Sequence, residues 1–244
     1  MLKSLLLTSA LLLGCASDPV ADRGDVAKPA EAPPAVVHHG QIRDIMQGDW
    51  QSNAALAERL DGPRVLALGA LSELRGELLS VQGVTWLAYP TETALPRVVR
   101  TTMPDENATL LVMAEVARWR DQTLAADIAA DAFETELRTL ALSQGVDVTQ
   151  PFPFMIRGRL RSVTWHVIDG TRVEPGMRPD QNAQHGTAVD AEGSVIGFYS
   201  DSHQGVFTMM GSNVHMHVVL DDGTVVGHVQ ALDLVRGTTV SFPE

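Results

Sequence analysis

The sequence predicts an α+β fold, with mixed or antiparallel β-sheets and a few helices. Helical patterns fall mainly in the first half of the 244-residue chain, whereas short β-rich segments separated by Gly, Asp and Pro fill the second half. Strands and helices do not alternate regularly, so a parallel sheet built from βαβ units is not expected. Hydrophobic residues make up 45% of the chain, which is enough for a sizeable core.

The first residues resemble a bacterial lipoprotein signal. Lys3 provides a positive charge, and the apolar stretch over residues 5–13 has the length of a signal core but is too short to span a membrane. It ends in Leu12-Leu13-Gly14-Cys15, which resembles a lipobox, and Cys15 is the single cysteine of the chain. We therefore predict that residues 1–14 are removed and that Cys15 is lipidated. The alternative is an ordinary cleaved signal.

A tether is predicted after the signal, because residues 15–35 are rich in Ala, Pro and Asp and show no apolar period. Ala16, rather than Asp, follows the cysteine, as in lipoproteins sorted to the outer membrane. The sequence thus predicts a protein anchored in the bacterial envelope, at the outer membrane or otherwise outside the cytoplasm, that touches the membrane only through lipid. The folded domain is expected over residues 36–244, with two β-rich halves, 36–150 and 151–244.

Two segments of the first half show helical patterns. The first, residues 53–60, follows Ser52 as a predicted N-cap and stops before Asp61-Gly62-Pro63. In the second, residues 127–144, apolar side chains recur on one helical face and Gly145 ends the segment. The apolar residues of that face are Phe133, Leu137 and Leu140.

Apolar runs of strand length account for most of the remaining chain. Gln82-Gly83, between two of these runs, predicts a hairpin. In the first half the runs are residues 65–71, 77–81, 84–89 and 109–116. In the second half they are residues 154–160, 161–167, 193–200, 213–220 and 224–235.

Composition excludes several classes of function. Lys and Arg number 18 against 30 Asp and Glu, which gives a net charge of −12, so no nucleic-acid partner is expected. One cysteine leaves no intrachain disulfide and no cysteine-based zinc site. No apolar run approaches the roughly 20 residues that a membrane-spanning helix needs.

The most informative segment lies between Asn213 and His228. Asp222-Gly223 is a two-residue turn signal, and strands folded there place His217 directly opposite His228, with Cβ atoms about 5 Å apart. His215 lies two residues before His217 and therefore on the same face. Three imidazoles on strands of fixed geometry are predicted to bind Zn²⁺ or another divalent metal, with an open coordination position as in catalytic sites.

Two other interpretations of this segment remain open. The three histidines could be polar side chains on a solvated strand face. A cupin also carries His-x-His, but with a glutamate shortly after it, where this chain has Leu220-Asp221. Four further histidines are expected in solvated loops, namely His38, His39, His185 and His203.

In these residues the chain resembles the alpha-acetolactate decarboxylases. That family carries His-x-His, ten residues and a third His, which His215, His217 and His228 match. The first half of the family also contains a Leu-Gly pair and, further on, a Gly-Glu-Leu pattern. Leu68-Gly69 and Gly76-Glu77-Leu78 match these in register.

The resemblance covers residues 36–242, with weaker likeness at residues 110–113 and 193–198. It implies a zinc-dependent decarboxylation of 2-acetolactate, or of a related 2-hydroxy-3-keto acid, to acetoin and carbon dioxide. The expected partner is thus a small-molecule substrate, and assembly into a homodimer remains an alternative.

The resemblance also implies roles for two further residues. Glu77 occupies the place of a glutamate that lies at the family's metal site and handles substrate and protons. His166, eight residues after Gly158, occupies the place of an active-site arginine that holds the substrate carboxylate. A further family glutamate follows the third histidine, and the last candidate for it here is Glu244.

Histidine holds a carboxylate less well than arginine does at neutral pH. This difference favours a first alternative, a zinc-dependent hydrolase or lyase on the same scaffold. The unmatched C-terminal glutamate of the family favours a second, a metal-binding lipoprotein without catalysis.

Overall fold

The computed structural model describes residues 34–174, 177–220 and 223–244. These residues form two β-sheets and three α-helices, so the predicted α+β class is confirmed. All strand pairs within the sheets are antiparallel. The predicted signal peptide and Cys15 lie outside the described residues.

The first sheet has seven strands, and the four apolar runs predicted for the first half are its central members. These four strands are β3 (Val65–Leu71), β4 (Glu77–Val81), β5 (Val84–Tyr89) and β7 (Asn107–Glu115). The others are β1 (Val37–His39), β2 (Ala54–Ala55) and β6 (Arg97–Thr101). The strand order is β1-β7-β3-β4-β5-β6, with β2 also beside β7.

The central strands of this sheet bury both faces. Leu66 and Leu79 pack into the large core that the two sheets share. Leu78, on the opposite face, belongs to a smaller cluster with Leu56. Because side chains alternate along a strand, Glu77 shares the face of Leu79 and points towards the second sheet.

The described residues contain three α-helices: α1 (Ile42–Met46) and α2 (Leu56–Arg59) lie between strands of the first sheet, and α3 (Phe133–Ser143) lies between two strands of the second. Within α3, Phe133 and Leu137 are buried as predicted, and Leu140 is half-buried. Gly145 follows the helix with φ of 78°, the left-handed conformation expected of a residue that ends a helix. No helix of the described residues is long and apolar enough to cross a membrane.

The start predicted for the first helix is wrong. Only Leu56–Arg59 is helical, because Ala54–Ala55 pairs with β7 and its backbone groups are taken up by the sheet. Ser52 caps no helix, and its hydroxyl lies 2.5 Å from the hydroxyl of Ser72. The second predicted helix starts at Phe133, later than the expected residue 127.

The second sheet contains β8 to β13 in the order β10-β11-β12-β9-β13-β8. Two predicted runs, residues 154–160 and 161–167, form one continuous strand, because no turn residue separates them. The strands are β8 (Trp119–Thr123), β9 (Phe152–Val167), β10 (Gln184–Tyr199), β11 (Val214–Leu220), β12 (Val226–Leu234) and β13 (Thr239–Pro243).

Four strands of this sheet close into a ring, because β10 pairs with β9 as well as with β11. The other two pairings of the ring are β11 with β12 and β12 with β9. Strands β11 and β12 contact β4 of the first sheet. This contact brings Glu77 towards the predicted histidine cluster.

Candidate metal centre

The three histidines of the predicted hairpin converge in the structure. His217 is paired with His228 across β11 and β12, which confirms the predicted register. The ring centroid of His215 lies 5.2 Å from that of His217 and 4.9 Å from that of His228. One ligand nitrogen from each histidine lies within 4.8 Å of the others. In the turn, Gly223 has φ of 67° and Asp222 lies outside the described residues.

Hydrogen bonds orient two of these rings. His217 is fully buried, and its Nδ1 donates to the Leu78 carbonyl oxygen over 2.8 Å, which leaves the Nε2 lone pair free. His215 is hydrogen-bonded to the backbone of Phe207, and its Nδ1 has no partner. A buried ring nitrogen without a partner is costly unless something binds it. A ring fixed through its other nitrogen is typical of histidines that ligate metals, so these residues fit a divalent ion.

Glu77 joins the cluster from the first sheet. Its Oε2 lies 3.7 Å from His217 Nε2, and its Oε1 lies 3.9 Å from His166 Nε2. Oε1 also accepts a hydrogen bond from the Ile168 N–H at 3.2 Å. Burial raises the pKa of the Glu77 carboxyl well above its usual range. The Glu77 residue is 3% exposed, so a buried carboxyl group lies beside the cluster.

A glycine is required beside Glu77. Gly76 has φ of 155°, and a Cβ atom there would lie 2.1 Å from the Ala88 carbonyl oxygen. The two short motifs that carry the sequence resemblance are paired directly in this region, since Gly69 lies opposite Leu78.

His166 extends the cluster by one strand. It is paired with His228 on one side and with His185 on the other, and its ring stacks on that of His228 at 4.7 Å. Burial, with the neighbouring imidazoles, lowers the pKa of His166 well below its ordinary value. His166 is therefore neutral at neutral pH and offers an N–H donor without a permanent charge.

Burial lowers the pKa of all four clustered histidines, and lowers that of His228 to about 4. The unfolded chain therefore binds protons below about pH 6.5 that the folded metal-free chain does not bind. The raised pKa of Glu77 has the opposite effect on the pH dependence of stability, but the effect of four imidazoles exceeds that of one carboxyl group.

We expect the metal-free protein to lose stability as the pH falls from about 6.5 towards 4, at up to about 1.4 kcal/mol per pH unit for each such histidine. Denaturant midpoints measured in chelator at several pH values check this. A midpoint that stays constant from pH 7 to pH 5 would contradict it.

The other predicted residues lie elsewhere. His185 is exposed, as expected, but it lies in β10 rather than in a loop, with Nδ1 3.2 Å from Gln230 Oε1. Three histidines are half-buried rather than solvated: two of them lie in β1 rather than in a loop, and the third lies in a loop but packs on Phe207. These are His38, His39 and His203. Glu244 pairs with Arg118 at 2.7 Å and does not line the site.

A cavity of about 330 Å³ opens beside the cluster. Glu77, His166, His215 and His228 form part of its wall. Asp180, which the sequence analysis missed, also lines it, and its ion-pair partner is Arg178. Asp180 lies in a loop without periodic pattern, so no sequence signal points to it.

Comparison with known proteins identifies the same fold in solved structures. The model of a family described as "Alpha-acetolactate decarboxylase" matches residues 36–243. A Staphylococcus aureus protein of unknown function, described as similar to alpha-acetolactate decarboxylase, is 17% identical with a TM-score of 0.68; the match covers 85% of this chain and 84% of that one. A search of curated proteins gives no match.

Two Bacillus subtilis acetolactate decarboxylase structures are also similar. That of strain 168 is 14% identical with a TM-score of 0.68, and the match covers 86% of each chain. That of subspecies spizizenii is 14% identical with a TM-score of 0.69, and covers 86% of this chain and 85% of that one. At these identities the likeness shows the shared fold.

Proposed function

The chain belongs to the alpha-acetolactate decarboxylase family, and we propose that it catalyses the metal-dependent decarboxylation of 2-acetolactate, or of a related 2-hydroxy-3-keto acid. The products from 2-acetolactate are acetoin and carbon dioxide. One observation supports the proposal. The buried Glu77 carboxyl lies 3.7 Å from Nε2 of His217, a nitrogen that has no hydrogen-bond partner within the described residues and belongs to the three-histidine cluster.

His215, His217 and His228 would hold the metal, and three imidazoles favour Zn²⁺. When bound, the ion supplies Lewis-acid stabilisation of the negative charge that develops on the substrate oxygens. The protein keeps these three rings neutral through burial, so their lone pairs are free at neutral pH.

Glu77 handles the proton. When the bond to the carboxylate breaks, carbon dioxide leaves and the electron pair stays on the substrate, which must then bind one proton at carbon. The Glu77 carboxyl gives that proton and takes another from water before the next turnover. The Ile168 N–H fixes the carboxyl by its Oε1 oxygen, so its position does not depend on substrate.

His166 orients the substrate. Its ring lines the cavity beside His228, and its Nδ1 has no partner within the described residues. A neutral imidazole can donate one hydrogen bond to the substrate carboxylate. It binds that group less strongly than the charged fork of an arginine.

Acetoin release by the purified protein tests the proposal. Zinc-loaded protein incubated with racemic 2-acetolactate should form acetoin faster than the spontaneous reaction in protein-free buffer. A rate equal to the spontaneous one, at a measured stoichiometry of one metal per chain, would contradict the proposal.

One observation favours a second function. No Lys or Arg lines the cavity among the described residues, so a neutral substrate would also fit. A zinc-dependent hydrolase or lyase acting on such a substrate is the second candidate. A zinc-loaded protein that leaves acetolactate untouched but acts on neutral esters or hydroxyketones would favour it.

We also propose that Cys15 anchors the protein in the bacterial envelope, on the basis of the lipobox-like sequence. Cys15→Ala should move the protein from the membrane fraction to soluble or unprocessed forms, because it removes the site of lipidation. Cell fractionation with immunoblotting measures this, and Ser17→Ala is a matched control. Unchanged membrane partitioning of the Cys15 variant would count against the anchor.

A further inference from the structure

The cavity beside the histidine cluster extends well beyond it. Its wall includes consecutive residues of β12 from His228 to Leu232. His228 and Leu232 are four residues apart in the strand, which the register shift between Val229 and Ala231 shortens, so they lie roughly 10–13 Å from each other. Glu77, His166, His215 and His228 therefore line only one part of the cavity.

The segment that precedes α3 lies against the last part of β12. The Ala130 N–H donates to Asp233 Oδ1 over 2.9 Å, and Ile128 exchanges backbone hydrogen bonds with Leu234. These bonds hold Ala130 and the buried Phe133 against the last part of β12, and both residues line the cavity.

The wall away from the histidines is mostly apolar. Glu134 also lines the cavity, but its two oxygens accept hydrogen bonds from the Ser212 hydroxyl at 2.6 Å and from the Asn213 N–H at 3.0 Å. Both oxygens of the Glu134 carboxyl group thus already have hydrogen-bond donors from the protein. Other apolar residues of the wall are Ile42, Ile45, Leu74, Leu110 and Met209.

We propose that the cavity selects a substrate whose carbon next to the carboxylate bears an alkyl or aryl group larger than methyl, and that this group lies between Phe133 and Leu232. The inference rests on the proposed decarboxylase function. 2-Acetolactate carries only methyl groups outside its reacting atoms, so it would leave the apolar end unfilled. A cavity of about 330 Å³ is within the range that encloses larger ligands.

A chain-length series tests the inference on the unmodified protein. The substrates are 2-acetolactate and its homologues in which the C2 methyl is replaced by propyl or pentyl. If the chain enters the apolar end, kcat/KM should rise about fourfold for each added methylene until the space is filled. A kcat/KM that stays level or falls from methyl to pentyl would overturn the inference and leave the decarboxylase proposal standing.

Ala130→Phe places a ring in the far end of the cavity. This variant should lower the ratio of kcat/KM for the pentyl substrate to that for acetolactate. Ala129→Phe is the matched control, because Ala129 is exposed and does not line the cavity, and it should keep the wild-type ratio. Equal ratios in both variants would contradict the placement of the chain beside Ala130.

Binding separates this inference from the proposed function. 2-Alkyl-2-hydroxy acids without the ketone cannot react, and calorimetry of the zinc-loaded protein gives their affinities. Affinity that rises from methyl to pentyl supports the apolar end even if no substrate is decarboxylated. Affinity independent of chain length, in the same circumstance, overturns it.

Discussion

His228→Ala is expected to lose most of the bound metal and to reduce acetoin formation to the spontaneous rate. His228 is the centre of the cluster, since it is paired with His217 and its ring lies 4.9 Å from that of His215. Without it two nitrogen donors remain, too few to hold a divalent ion with a defined open position. The loss of affinity should exceed the roughly 10–100-fold that removal of an outer-shell partner costs.

Metal analysis beside an acetoin assay measures both effects. His185→Ala is the matched control, because His185 is exposed on β10 and is not one of the three clustered histidines. It should keep a full complement of metal. If His228→Ala also keeps a full complement, the hairpin is not the metal site.

Glu77→Gln should retain most of the metal and lose roughly 10²-fold or more in kcat, the usual scale for a positioned acid–base group. Glutamine keeps the volume of the side chain and removes its ability to give and take a proton. We expect the three histidines to hold the metal without the charge of Glu77, because three protein ligands are sufficient for a zinc site with an open position. In Glu77→Gln we therefore expect kcat to fall while the metal content stays high, whereas in His228→Ala we expect both to fall.

Glu115→Gln serves as control for Glu77→Gln, because Glu115 is an exposed glutamate at the end of β7. It should leave kcat and metal content unchanged. Full activity in Glu77→Gln would refute the role in proton transfer. Loss of metal in that variant would instead make Glu77 a ligand.

The cluster of His215, His217 and His228 could be predicted from the sequence because its geometry is local. A turn at residues 222–223 and the alternation of side chains fix which residues oppose each other, and the structure has His217 opposite His228. The start of the first helix was missed for the opposite reason. Ala54–Ala55 pairs with β7, more than fifty residues away in sequence, and that contact overrides the local helical pattern.

The rest of the site depends on contacts that no local pattern records. Glu77 reaches the histidines from a different sheet, so only its match to a family motif pointed to it. Asp180 and the apolar end of the cavity carry no motif at all. The position of Ala130 and Phe133 follows from a hydrogen bond to Asp233, about a hundred residues further along the chain.

Titration of the metal-stripped protein with Zn²⁺, with acetoin release from 2-acetolactate as the readout, tests the central claim most directly. The rate should rise in proportion to added zinc and level off at one equivalent per chain, because one three-histidine cluster is present in the described residues. A chelator should remove the activity and zinc should restore it. Full activity in the stripped protein, or a spontaneous rate at every zinc concentration, would contradict the account.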